Sequence, residues 1–120
     1  YGMHWCANVV AGREGTAAAV LLRAASPVTG LEAMREARKA ARRDVDLMNG
    51  PAKLCQALGI DRSQNGIDVC APRAAVTFRD DGVAPPGEPA IGPRVGISAA
   101  KEHPWRFSVS GDPNRSRPWD

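Results

Sequence analysis

Apolar positions along the chain fall into short runs whose period changes several times. Residues 1–10 mix aromatic and β-branched side chains, residues 17–22 form an apolar run, and the polar stretch 11–15 between them carries Gly12 and Gly15. Two strand-like runs joined by a glycine-containing polar stretch predict a β-hairpin. His4, Asn8 and Arg23 stand where a plain strand would be apolar. By the period of two, His4, Cys6 and Asn8 point to one face of the first strand, and Arg23, at the end of the second, can face the same site. A buried Asn and an Arg beside a His need partners, and a bound substrate is one way of supplying them.

Past the turn at residues 24–28 the period becomes helical. Thr29 with Glu32 three residues on forms a capping-box pattern, so a helix is expected from there to about Arg43. Leu31, Met34, Ala37 and Ala41 form its buried stripe, with Arg35, Arg38, Lys39, Arg42 and Arg43 largely off it. These cations are either a solvated helix face or a non-specific phosphate contact. A second short helix is expected over residues 50–58, with Leu54, Ala57 and Leu58 on its apolar face. Pro51 suits the first helical position because its missing N–H would be unpaired there anyway. The free N–H groups that follow, the helix dipole and Lys53 together can receive an anion, although an ordinary capped helix has the same spacing.

Farther on, residues 67–70 are read as a short strand or extended piece and residues 75–78 as another strand. Residues 83–93, with Pro85, Pro86, Pro89 and Pro93, read as an extended loop. Residues 94–98 are another strand candidate, in which Gly96 allows a close backbone approach. The last strand is expected at residues 103–109, with Trp105, Phe107 and Val109 on one face. Residues 1–110 are read as one domain and residues 111–120 as a frayed polar tail.

The chain has 120 residues, one domain's worth. The strand pattern running at residue 1 and the lack of an initiator methionine lead us to expect a fragment. The net charge of +3, from 16 basic and 13 acidic residues, favours nucleic acid only slightly. Cys6, Cys55 and Cys70 are too few and too scattered for a disulfide framework, and a reducing cytoplasm is the expected compartment. No stretch approaches the roughly twenty apolar residues of a membrane span. His4, His103 and the cysteines lack zinc-ligand spacing, and neither a phosphate-binding glycine loop nor a nucleophile motif is present.

Several segments carry a resemblance. Tyr1-Gly-Met-His-Trp-Cys-Ala-Asn-Val9, Ala18-Ala-Val-Leu-Leu-Arg23, Gly50-Pro-Ala-Lys-Leu-Cys-Gln-Ala-Leu-Gly-Ile60, Gly92-Pro-Arg-Val-Gly-Ile97 and Pro104-Trp-Arg-Phe107 stand in the order of the alkyladenine (3-methyladenine) DNA glycosylase family. The chain closely resembles that family. The resemblance implies an α+β fold: a single mixed domain with a curved antiparallel sheet and a protruding β-hairpin flanked by helices, truncated at the N-terminus. It also implies a monomer without cofactor or metal, acting on double-stranded DNA with damaged purines, in the cytoplasm and, in a bacterium, at the nucleoid.

The resemblance further assigns roles. Tyr1 stands where the family has its intercalating wedge, and Met3 and His4 follow along the DNA-facing edge, His4 beside the substrate. Asn8 matches the floor of the base pocket; its structural alternative is a core asparagine satisfied by backbone. Arg23 and the main-chain carbonyl of Val95 match the groups that hold the attacking water with a glutamate, Arg23 being otherwise a strand-end salt bridge. Pro51, Ala52 and Lys53 match the turn that approaches the DNA backbone, and Gly96 is counted with the DNA-contacting residues. The family's general base precedes the Tyr-Gly-Met motif and so has no counterpart in this chain. Glu14, Glu32, Glu36, Glu88 and Glu102 fall at no matching position. Two functions follow for comparison: a glycosylase of base-excision repair of which this chain is an inactive part, and a non-catalytic damaged-DNA-binding module of the same descent.

Overall fold

The computed structural model describes residues 4–15, 18–96 and 102–117. Tyr1 and Met3 lie outside them. Strands β1 (Ala7–Val10) and β2 (Ala19–Leu22) form the expected hairpin, with Ala7 opposite Leu22 and Asn8 opposite Leu21. One further bond, from the Ala11 N–H to the Ala18 carbonyl at 3.1 Å, carries the pairing into the turn. The turn itself uses Gly12 and Gly15 at φ 90° and 84°, a region that side chains with a Cβ avoid. Ala7 and Leu22 pack on the core, while Asn8 and Val10 are exposed on the opposite face. Asn8 is therefore not the enclosed asparagine expected from the pattern.

Helix α1 (Leu31–Ala37) departs from expectation at both ends. Its N-cap is Gly30, left-handed at φ 74°, with no side-chain cap bond. That puts Glu32 at the second helical position, whereas a capping box needs it at the third, so Thr29 and Glu32 cannot close one. The helix stops six residues before Arg43 because Arg38 leaves helical geometry (φ −125°, ψ 58°) and turns inward. Its guanidinium donates to the carbonyls of Asp46 (3.1 Å) and Leu47 (3.3 Å) and to Gln56 Oε1 (3.4 Å). Arg38, assigned by period to the outer face, is thus buried, and Ala37, assigned to the stripe, is exposed.

The neighbouring cations are engaged with carboxylates. Arg35 makes a two-pronged contact with Asp44 (2.9 and 2.7 Å), Arg43 reaches Asp46 (3.1 Å), and Lys39 reaches Glu36 (3.0 Å). Such exposed pairs stabilise little, and they fit the solvated-face reading of this helix. Arg38 differs, since removing it strips a donor from the buried Leu47 carbonyl and another from the partly buried Asp46 carbonyl. Arg38→Ala is expected to cost about 2 kcal/mol, read as a lower urea midpoint. Arg38→Lys should recover little of it, because an ammonium cannot span three acceptors in one plane.

A 3₁₀ turn (Asp44–Asp46) leads to helix α2 (Pro51–Leu58), which has Pro51 in its first turn and left-handed Gly59 (φ 66°) as its stop. Leu54, Cys55 and Ala57 are its buried residues. Leu58, expected inside, is exposed, and Cys55 takes the inner position. Burial pushes the Cys55 thiol up from its ordinary pKa. Met34, Leu47, Met48, Leu54, Cys55 and Ala57 form the core, flanked by Ala7, Leu22, Leu31, Ala41 and Ile60. The hydrophobic interior thus lies between the two helices and the inner face of the hairpin.

Neither expected strand between residues 67 and 78 forms. There Asp68, like Asp80 and Asp81 after it, accepts the backbone N–H two residues on, at 2.9 to 3.0 Å, which turns the chain instead of extending it. Strand β3 (Ala90–Gly92) lies inside the stretch read as loop and pairs antiparallel with β4 (Arg106–Ser108), Ile91 opposite Phe107. Pro89 and Pro93 bracket β3, and neither can donate to a ladder, which confines the strand to the residues between them. Residues 94–96, expected to begin a strand, follow it as bend and coil, and residues 97 and 98 lie outside the described residues.

The fold is α+β, with its antiparallel structure divided between two two-stranded sheets. In the second, Phe107 is 63% exposed and its neighbour in sequence, Arg106, is buried. Residues 111–117, expected to fray, turn back on the domain through Asp112 and Asn114 and end in a buried Ser116.

Candidate functional site

The outer face of the hairpin and the second sheet enclose a cleft of about 950 Å³. The β1–β2 register decides which hairpin side chains face it. Asn8 lies opposite Leu21, and Arg23 follows two residues later, so the three share a face. Val95, Trp105, Phe107 and Val109 line the far wall. Asn8, Arg23 and Val95, widely separated in the chain, therefore border one space. His4 is exposed and lies outside the lining, and Gly96, next to Val95, is exposed at φ 75°.

Arg23 is the most constrained of these residues. Its Nε donates to Ser116 Oγ at 3.0 Å. Burial, and then the charge of Arg106, lower its pKa from the ordinary guanidinium value, with Cys6 opposing them weakly. Arg106 in turn donates from Nη2 to the Ser116 carbonyl at 2.7 Å. Two guanidinium groups are thus held near each other by neutral acceptors on one residue.

On the far wall, the Trp105 indole is stacked with His103 (4.2 Å between centroids, 7° between planes), and Arg94 lies 5.4 Å from its centre. Cation and aromatic faces attract through the ring quadrupole.

A smaller cavity of about 310 Å³ adjoins the cleft and shares Arg23 and Ser116 with it. The N-terminal end of α2 opens into it through Gly50 and Pro51, beside Lys53 and Arg117. A run of polar contacts fixes this corner: Lys53 Nζ donates to Asn49 Oδ1 (3.2 Å), Asn49 Nδ2 donates to Asp46 Oδ1 (3.1 Å), and Arg43 holds Asp46 from the other side. The bond from Arg43, followed by its charge and the bond from Asn49, keeps the Asp46 carboxyl below its usual pKa against the opposing effect of burial. Ala52 is half-buried in the same helix turn.

Among the described residues lining the cleft, the carboxylate is Asp112. Its Oδ1 accepts from the Asn114 N–H (2.8 Å) and Nδ2 (2.9 Å), which hold it below its ordinary pKa and make it a weak base. Among the described residues no glutamate lines either cavity. Among the described residues no cluster of three or more His, Cys, Asp or Glu could hold a metal ion, and no helix is long and apolar enough to cross a membrane. The cleft is therefore a cationic, apolar-walled recess that carries the side-chain amides of Asn8 and Asn114. It is suited to a flat polar group carried by an anionic chain.

Sequence reasoning missed Ser116 and Arg106. Arg106 left a signal, a charged residue between Trp105 and Phe107 in an alternating strand, whereas Ser116 left none in a polar terminal stretch.

Residues 1–113 match the family model described as Methylpurine-DNA glycosylase (MPG). The chain is 50% identical over 112 residues to a Burkholderia orbicola protein named "Putative 3-methyladenine DNA glycosylase", covering 93% of the chain and 54% of that protein. Proteins of the same name from Streptomyces avermitilis and Nitrosospira multiformis are 45% and 41% identical over 118 and 122 residues, covering 97% and 99% of the chain and 55% and 59% of their own lengths. The chain spans about half the length of the curated relatives it matches.

Proposed function

Given that this chain belongs to the methylpurine-DNA glycosylase family, we propose that the whole protein excises alkylated purines such as 3-methyladenine from double-stranded DNA by hydrolysis. The target nucleotide leaves the stack at a cost of a few kcal/mol, least for a damaged base, and Tyr1 fills the gap from the minor groove. The base enters the cleft over Asn8, whose amide meets an adenine-like edge and leaves no room for the exocyclic amino group of guanine. Arg23 and the Val95 carbonyl orient a water toward the anomeric carbon. As the water oxygen bonds to that carbon, the glycosidic electron pair departs with the purine and a carboxylate takes the water's proton. An abasic site and a free base result. Arg23 is positively charged, so its part is to hold the water rather than to stabilise the developing sugar cation. Phosphates flanking the lesion meet the N-terminal end of α2 and Lys53.

The observation that carries this reading is the common cleft of Asn8, Arg23 and Val95. The general base is supplied from outside the 120 residues, in keeping with the weak basicity of Asp112. The test is release of methylated purines from a duplex at saturating protein. The whole protein is expected to release base, and the 120-residue chain by itself is not. Binding to damaged duplex by the whole protein without release would instead make it a non-catalytic recognition module. Release by the chain alone would overturn the assignment of the base.

A further inference from the structure

Arg23 reaches the cleft from the end of a short strand, and a long side chain there has many rotamers to choose from. A guanidinium is planar, so fixing the direction of one N–H fixes the plane of the whole fork. The bond from Nε to Ser116 Oγ at 3.0 Å does this, and Ser116 is only 5% exposed. With Nε so engaged, the pair of terminal amino groups is what Arg23 has left to offer a ligand. The serine is itself anchored independently of its hydroxyl, since its carbonyl accepts from buried Arg106 at 2.7 Å. The turn before it is closed by Asp112, whose carbonyl takes the Arg115 Nε at 2.9 Å.

We propose that Ser116 is the positioning residue of the site: the segment from Asp112 to Ser116 is a strap that presents one hydroxyl to Arg23 and sets the orientation in which that arginine holds its water. The proposal rests on the role given to Arg23 above. It also accounts for two neighbouring arginines in one enclosed corner. Each receives a neutral acceptor from the same residue, Arg23 from the hydroxyl and Arg106 from the carbonyl.

The experiment is single-turnover base release by the whole protein with Ser116→Ala, Ser116→Thr, Arg23→Ala and the double variant. Ser116→Ala removes only the hydroxyl and keeps the carbonyl that Arg106 grips, so the strap stays in place. Its single-turnover rate at saturation is expected to fall about 10- to 100-fold, the scale of a small misplacement of a reacting group, with the half-saturating protein concentration within about twofold. Ser116→Thr, which retains the oxygen, should restore most of the rate. In the Arg23→Ala background Ser116→Ala should cost nothing further, because its effect passes through Arg23. As a check that does not depend on turnover, the Arg23 Nε–H proton should exchange slowly with water in the parent and fast in Ser116→Ala. An equal further loss in the Arg23→Ala background, or unchanged exchange of that proton, would overturn the inference while leaving the function intact. If Arg23→Ala itself released base at the parent rate, the role of Arg23 would fail, and the inference with it.

Discussion

Replacing Arg23 with alanine is expected to lower the single-turnover rate of base release by the whole protein about 100- to 1,000-fold, the usual cost of deleting one preorganised donor at a reacting centre. The reason is local. Arg23 is half-buried and its Nε is tied to Ser116, and a guanidinium keeps its proton in proteins, so it is a fixed cation in every cycle. A donor held in this way costs no reorganisation when the water is aligned. Arg23→Lys should recover only a small part of the loss, because an ammonium cannot bond to Ser116 and still present a planar pair of N–H groups to the cleft. Affinity for damaged duplex should fall less than the rate, since Arg23 shares the smaller cavity with Lys53 and Arg117. A rate equal to that of the parent would refute the assignment.

Leu47→Ala should destabilise the domain by about 3–4 kcal/mol, in the range of buried leucine truncations. Leu47 is 1% exposed and sits among Met34, Met48, Leu54, Cys55 and Ala57, a core too small to close over a cavity by shifting many neighbours. Against a typical net stability of about 5–15 kcal/mol, that loss leaves little margin, and a large drop in urea midpoint and expression is expected. The Leu47 carbonyl still receives Arg38 in this variant, so the effect isolates side-chain packing from the buried hydrogen bond. Val10→Ala, at a side chain 79% exposed, should change stability by less than about 0.5 kcal/mol.

The elements legible in the sequence were those governed by local chemistry. The hairpin followed from two strand-like runs around Gly12 and Gly15, and α2 from Pro51 near its start and the apolar spacing of Leu54 and Ala57. Where a side chain had two possible partners, local reading chose the wrong one. Thr29 lost the N-cap to Gly30, and Arg38 left the solvent face for the Asp46 and Leu47 carbonyls. Asp68 turned the chain at residues 68–70, where a short strand or extended piece was expected.

By itself, then, the sequence determined the hairpin and the second helix, and it carried the motifs, spread along most of the chain, whose resemblance implied the family and its α+β class. The hairpin and the helix depend on periods of two and 3.6, which act over a few neighbours. Only the tertiary structure decided that Val95 joins Asn8 and Arg23 along one cleft, that β3 pairs between two prolines, and that a polar terminal stretch returns to hold Arg23 through Ser116. These depend on contacts across as many as 93 positions of chain. Such contacts are made by burial and by the need of each enclosed donor for an acceptor, and neither leaves a local pattern to read.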